Sequence, residues 1–279
     1  MTTWRALLDQ AAEVVGSRDE ARRLVEEASG LGPSELLLAL DDVVPARAGA
    51  YLTAMLGRRT AGEPLQYALG RWGFRSLDLM VDRRVLIPRP ETEVVAGVAV
   101  EEARRFGGPV LVADLGTGSG AIALSIAAEV PGAEVWATDV SGGAVDVASA
   151  NLCGLGGFAA ARVRVARGAW YDALPTELAG RVHVIVSNPP YVADGEELPP
   201  EVDEWEPRDA LRAGPTGLEC LAAVITGAPR WLRADGVLVL EHAPHQAADV
   251  TELALAAGFA PVDISKDLAG RDRVAVARR

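Results

Sequence analysis

An apolar run, Val184-Ile185-Val186-Ser187, stops abruptly at Asn188-Pro189-Pro190-Tyr191. Two adjacent prolines fix two φ angles and remove two N–H donors, so the backbone at Pro189 and Pro190 offers only carbonyl acceptors. Together with the side-chain carbonyl of Asn188 they can hold the hydrogens of a planar NH2 group, leaving its lone pair free and the Tyr191 ring against its face. Alkylation of an amide or an exocyclic amine requires that arrangement, so the tetrapeptide points to group transfer to a weak nitrogen nucleophile. Taken alone, it also fits a proline-rich loop that ends a strand.

A second candidate site lies upstream. Val110-Leu111-Val112-Ala113-Asp114-Leu115 leads through Gly116-Thr117-Gly118-Ser119-Gly120 into Ala121-Ile122-Ala123-Leu124, a strand, a glycine loop and a helix start. Glycines allow a tight turn and close approach of backbone to a ligand. Asp139 ends the next apolar stretch, where an acid can accept hydrogen bonds from ribose hydroxyls. Gly116-x-Gly118-x-x-Ala121 also satisfies the loose dinucleotide fingerprint, so the loop signals an adenosine cofactor without separating nicotinamide from adenosylmethionine.

The elements that must position these two sites alternate. Strands are expected near 110–114, 134–138, 162–166, 182–187 and 236–241, with helices near 120–129, 143–152, 217–232 and 246–257. Val262-Asp263-Ile264 and Arg273–Ala277 can add two strands. This pattern argues for a doubly wound, mainly parallel α/β sheet of seven strands whose ligands lie at the carboxyl ends of the strands. Before it, residues 1 to about 60 read as short amphipathic helices: Trp4, Leu7, Leu8, Ala11 and Val15 share one face, and Ser17 with Glu20 forms a capping box closed by Gly30. Leu77, Leu79 and Val81 alternate as a half-buried strand, and Val85-Leu86-Ile87 is suited to pair with it as a hairpin. Pro90 with Glu91 and Glu93 marks the start of a following helix.

A net charge of −12 and a pI near 4.8 argue against a broad basic face for nucleic acid. The imbalance is uneven, a net of −1 over residues 1–75 and −11 over the rest. No apolar run approaches the roughly 20 residues of a membrane span, and the first residues lack the pattern of a signal peptide. Cys153 and Cys220 show no ligand spacing and are expected as buried thiols in a reducing compartment, with the cytoplasm as the location. His242 and His245 flank Pro244 without a third ligand, so no metal is expected, and His183 reads as a packed or surface strand residue. Glu196, Glu197, Glu201, Asp203, Glu204 and Glu206 read as a solvated loop, or as an acidic lip facing a basic protein substrate.

With these residues in view the chain resembles the class I S-adenosylmethionine-dependent methyltransferases, and within them the HemK-type glutamine methyltransferases of peptide-chain release factors. The resemblance spans nearly the whole chain. Besides Asp114–Gly120 and Asn188–Tyr191 it rests on Gly62-Glu-Pro-Leu-Gln-Tyr67, Leu86-Ile-Pro-Arg-Pro-Glu-Thr-Glu93, Glu206-Pro-Arg208 and the segment from Lys266 to Arg273. One departure is Glu241-His242-Ala243-Pro244, where the family more often has a glycine soon after the acid.

The resemblance implies three parts: an N-terminal helical substrate-binding domain at 1–75, a β-hairpin linker at 76–90, and a methyltransferase domain at 91–279. It implies that Gly116, Thr117, Gly118, Ser119 and Gly120 surround the amino-acid portion of S-adenosylmethionine, that Asp139 accepts from its ribose, and that Trp170 flanks its adenine. Asn188 would touch both cofactor and substrate, with Pro189, Pro190 and Tyr191 completing a glutamine slot. The implied reaction converts the glutamine of a release factor to N5-methylglutamine, leaving S-adenosylhomocysteine, with no metal, no direct nucleic-acid or membrane contact, and a monomeric enzyme. Two rivals share the motifs: the same reaction on a ribosomal-protein glutamine, and methylation of an adenine or guanine amino group in DNA or RNA. The second would need a phosphate-tracking basic surface, which the acidic balance does not suggest.

Overall fold

The computed structural model describes residues 2–279, and the chain divides into two compact units. The first comprises the residues up to Arg71 together with Pro199–Trp205; the second comprises Trp72–Leu198 and Glu206–Arg279. Pro199–Trp205, inside the block expected at 91–279, therefore groups with the N-terminal residues, where Glu201 lies 3.3 Å from Arg59.

The first unit is helical: α1 (Trp4–Val15), α2 (Arg18–Ser29), α3 (Pro33–Leu38), α4 (Ala46–Thr60) and α5 (Leu65–Leu69). The Ser17 hydroxyl accepts from Glu20 N (3.3 Å) at the start of α2, and Gly30 closes it in the left-handed region with φ 70°. The faces that the apolar spacing selects are buried, with Trp4, Leu8 and Ala11 on α1 and Ala21, Leu24 and Val25 on α2.

The second unit opens with a hairpin of β1 (Arg71–Phe74) and β2 (Leu77–Met80). The pairing expected between 77–81 and 85–87 is not formed. Arg75, at φ 52°, makes the tight turn on the near side of β2 instead. Val85 N turns back to the Asp82 carbonyl (3.1 Å), and Ile87 N donates to the Glu206 carboxylate (3.1 Å), which takes the donor a second strand would need.

After α6 (Pro90–Arg105) come β3 (Val110–Leu115), α7 (Ala121–Glu129), β4 (Ala133–Asp139), α8 (Gly142–Leu155), β5 (Val163–Arg167) and β6 (Val182–Ser187). The chain then forms α9 (Glu219–Trp231), β7 (Leu232–Glu241), α10 (Ala247–Ala256), β8 (Val262–Lys266) and β9 (Asp272–Arg278). These give one seven-stranded sheet in the order β8-β9-β7-β6-β3-β4-β5, parallel except where β9 runs against both of its neighbours. Side chains alternate across it. Val112, Val184, Val186 and Val239 pack with Val95, Ala99 and Ile126 on one face, while Ala113, Ile185, Leu238 and Leu240 pack with Leu221, Val224 and Val250 on the other. Burying such a Val or Leu is worth about 1.5–3 kcal/mol, so the two cores hold the sheet, and the loops at its edge are free to carry chemistry. Among the described residues no helix is long and apolar enough to cross a membrane.

The expectation of two buried thiols is corrected. Cys153 is exposed because α8 buries Ala144, Val147, Ala148 and Asn151 and turns residue 153 outward, and Cys220 is half-buried. His183 is a ladder residue, with Nδ1 accepting from Leu111 N (3.1 Å).

Candidate active site

The parallel strands bring Asp114, Asp139, Ser187 and Glu241 to the same edge of the sheet, since each sits at the carboxyl end of its strand. A cavity of about 620 Å³ opens there, inside the roughly 300–1,000 Å³ range of small-molecule sites. Gly116, Thr117, Gly118 and Ser119 form one wall, Asp139 and Trp170 a second, and Asn188 and Pro190 a third. Gly120 does not line it; it caps α7 at φ 84°, where an added Cβ would stand 3.1 Å from Leu124 Cδ1.

The glycine loop is braced from below. Gly116 and Gly118 adopt φ 72° and 56°, open to glycine without strain. Beneath them Asp114 Oδ2 accepts from the Thr117 hydroxyl (2.7 Å) and from Ala123 N (3.1 Å), tying the loop to the first turn of α7. Asp114 Oδ1 is buried with no partner among the described residues. Burial pushes this carboxyl up to about 7, with the Thr117 and Ala123 hydrogen bonds opposing it. The folded-state value exceeds the unfolded one, so the stability the neutral carboxyl confers is complete below about pH 4 and lost as pH rises through 7. Asp114→Asn, neutral at every pH, should flatten that limb. Its melting temperature should gain several degrees on the wild type between pH 5 and pH 8 in paired thermal melts.

Asp139 is half-buried, and burial raises its carboxyl against hydrogen bonds from Ser141 N (2.9 Å) and Gly118 N (2.9 Å). Trp170 is held at φ 47°, a costly region for a bulky residue, while its carbonyl accepts from the Thr138 hydroxyl (3.3 Å). Its ring lies over the loop, 3.7 Å from where a Gly116 Cβ would stand. An aromatic face, an acceptor-only carboxylate and a glycine loop around one cavity are the donor set an adenosine cofactor fits.

On the third wall Asn188 is half-buried, and its Nδ2 donates to Thr92 Oγ1 (3.1 Å). Thr92 donates in turn to Glu241 Oε2 (2.7 Å), and the Tyr191 phenol donates to Glu241 Oε1 (3.2 Å). Burial raises both the Tyr191 phenol and the Glu241 carboxyl. Pro189 is buried and, like Tyr191, does not line the cavity itself. The Tyr191 carbonyl is fixed by Gln246 Nε2 (3.0 Å), and Gly217, at φ 80°, lets that carbonyl come within 2.7 Å of where a Cβ would be. The sequence departure at Ala243 needs no glycine, because φ −69° and ψ 148° are ordinary extended values.

Two further segments close the cavity. Leu86 and Pro88 line one side and Pro207, Asp209 and Ala210 another, and Glu206 joins them through Ile87 N and an ion pair with Arg89. Glu206 is thus corrected from a solvated-loop residue to a buried one, because its neighbours supply both a cation and a backbone donor. Cys220 also lines the cavity. Spacing gives Thr92, Glu241, Gln246 and the Glu206–Arg89 pair no site role; Thr92, Arg89 and Glu206 are marked only by lying within the segments Leu86–Glu93 and Glu206–Arg208. Among the described residues no three His, Cys, Asp or Glu side chains gather at metal-binding distance, and His242, fully buried, makes a 2.8 Å contact from Nδ1 to the Ala243 carbonyl.

A seven-stranded sheet with one antiparallel strand, carrying a glycine loop, an acid at the end of β4 and Asn-Pro-Pro-Tyr on one edge, defines a class I S-adenosylmethionine-dependent methyltransferase. Residues 1–70 match the family described as the PrmC N-terminal domain, and residues 104–202 the methyltransferase small domain. A release factor glutamine methyltransferase of Cereibacter sphaeroides is 40% identical over 270 residues, 96% of this chain and 93% of its own. One from Burkholderia pseudomallei is 41% identical over 262 residues, 93% and 91%. A solved methyltransferase of Pyrococcus furiosus shares the fold, with a TM-score of 0.52 at 18% identity over 73% of this chain and 89% of its own. The chain belongs to the release factor glutamine methyltransferase family.

Proposed function

We infer that this chain transfers a methyl group from S-adenosylmethionine to the side-chain amide nitrogen of the glutamine in the Gly-Gly-Gln motif of peptide-chain release factors. The products are N5-methylglutamine and S-adenosylhomocysteine. The observation that carries the reading is Asn188, an amide that opens on the same cavity as the glycine loop and Asp139 while its Nδ2 is committed to Thr92.

S-adenosylmethionine, when bound, supplies an electrophilic methyl on a sulfonium that leaves as a neutral thioether, so in this reading no metal is required. Gly116, Thr117, Gly118 and Ser119 would hold its amino-acid portion, Asp139 its ribose, and Trp170 its adenine. Asn188 Oδ1 and the Pro189 carbonyl would accept from the glutamine NH2. An amide nitrogen is a poor nucleophile because its lone pair is delocalised, and acceptors for its hydrogens favour the state in which positive charge builds on nitrogen. Holding nitrogen near the methyl makes the encounter effectively unimolecular. A new N–C bond replaces the S–C bond, and one nitrogen proton then passes to water. Tyr191 would pack against the amide and help exclude water. We place the enzyme in the cytoplasm as a monomer acting on protein without direct nucleic-acid or membrane contact; the net charge of −12 supports the absence of a nucleic-acid face.

Incubation of the enzyme with labelled S-adenosylmethionine and, in parallel and in competition, purified release factors, ribosomal proteins and nucleic acid, followed by mapping, should place the label on the Gly-Gly-Gln glutamine. Label on nucleic acid, or on a ribosomal-protein glutamine in preference, would overturn the substrate.

A further inference from the structure

We propose that Thr92 and Glu241 are positioning residues that fix which way round the Asn188 amide sits, so that its carbonyl and not its NH2 faces the substrate. The inference deepens the proposed function and rests on Asn188 as the acceptor for the glutamine amide.

The argument is one of hydrogen-bond direction. Glu241 ends β7 with 1% of its surface exposed, and Thr92, in the first turn of α6 and 5% exposed, stands between it and the cavity it helps line. The relay requires Glu241 in its carboxylate form, which burial opposes and the Thr92 and Tyr191 hydroxyls and Arg273 favour, and a carboxylate can only accept. Glu241 Oε2 therefore takes the Thr92 hydroxyl proton (2.7 Å), and Oε1 takes that of Tyr191 (3.2 Å). With its one proton committed, Thr92 Oγ1 has only lone pairs left for Asn188, and the group it can receive is Nδ2–H (3.1 Å). Asn188 Oδ1 is then left with no donor among the described residues.

The reversed amide would set Oδ1 against the lone pairs of Thr92 and turn Nδ2 toward the substrate NH2, donor against donor. A single buried acceptor thus imposes a polarity that passes through Thr92 to the cavity. The same carboxylate holds the Tyr191 ring by its phenol, so two of the slot's side chains share one anchor. Burial works against the ionised form of Glu241, while the Thr92 hydrogen bond and the charge of Arg273 favour it. Arg273 is itself buried and donates to the His242 carbonyl (3.1 Å), which keeps that charge beside the end of β7.

The test uses the full-length enzyme with a release factor as methyl acceptor. Thr92→Val keeps the shape and removes the hydroxyl; it should lower kcat by about 10²-fold, the cost of a misplaced reacting group, with the Kd for S-adenosylmethionine unchanged by calorimetry. Thr92→Ser, which restores the hydroxyl, should recover most of that loss. Glu241→Gln puts a donor where only acceptors stood and should also lower kcat rather than weaken cofactor binding, a second probe should Thr92→Val fold poorly. Added to Asn188→Ala, Thr92→Val should cost nothing more in kcat, since the hydroxyl reaches the reaction through that amide. Full turnover in Thr92→Val, or an additive loss in the double variant, would overturn the relay alone, with the wild type still labelling the glutamine. A wild type that labels no glutamine would overturn the proposed function and the relay together.

Discussion

Asn188→Ala lowers kcat for glutamine methylation by about 10²–10³-fold, the range for removing a donor or acceptor aimed at developing charge, while S-adenosylmethionine binds within about tenfold of wild type. The two effects separate because of where Asn188 stands. Most of the cofactor's proposed contacts, Gly116–Ser119, Asp139 and Trp170, are left in place by the truncation, which removes only the one that Asn188 would add. The substrate amide, by contrast, has the Asn188 carbonyl as one of only two proposed acceptors. Without it, the amide loses both its orientation and the charge compensation that grows as nitrogen becomes more positive, interactions that lower kcat more than they raise KM. The change also frees the Thr92 hydroxyl, but Thr92 keeps its bond to Glu241, so α6 and β7 stay joined and the fold should melt close to wild type. Single-turnover methylation measured beside calorimetric cofactor binding separates the outcomes. A parallel fall in cofactor affinity would make Asn188 a cofactor ligand first, and normal turnover would remove it from the chemistry.

The reach of the sequence differs between the two kinds of element. Strands such as Val110–Leu115 and Val182–Ser187 were legible because a strand buried on both faces must be continuously apolar, and the switch to glycine or Asn-Pro-Pro marks its end. Asn188 and Asp139 followed, because a polar residue at that switch point falls at the carboxyl edge of the sheet. Val85-Leu86-Ile87 shows the opposite case. Its apolar run reads as a strand, but the run is buried against the cavity by the loop that carries Glu206, 119 positions away from Ile87. Glu206 and Glu241 were missed for the same reason. An acid reads as solvent-exposed unless its partners are known, and the partners of these two, Arg89 and Thr92, are remote in sequence and near in space only after the sheet forms. Pro199–Trp205 grouping with the N-terminal residues is equally invisible to periodicity, since it depends on pairs such as Arg59 with Glu201.

Glu206→Ala should cost about 2–4 kcal/mol of stability, below the full cost of breaking a buried ion pair from one side because the stranded Arg89 keeps some water, but with the Ile87 N–H orphaned as well. The Glu206 side chain is 1% exposed and that of Arg89 30%, so truncation strands a guanidinium that is mostly out of water and orphans the Ile87 N–H that the carboxylate now receives. A change of that size corresponds to a melting temperature lower by roughly 10 °C. Glu206→Gln can still accept from Ile87 but cannot balance the charge of Arg89, so it should fall between Ala and wild type. Cofactor affinity should follow the same order, because Glu206 joins the Leu86–Pro88 wall to the Pro207–Ala210 wall, and a cavity whose sides are no longer tied must be ordered at the expense of binding. Thermal melts and calorimetry on the three proteins test both halves: melting that falls without a loss of affinity would leave Glu206 a structural pair, whereas affinity that falls with it makes the pair part of how the cavity is held ready.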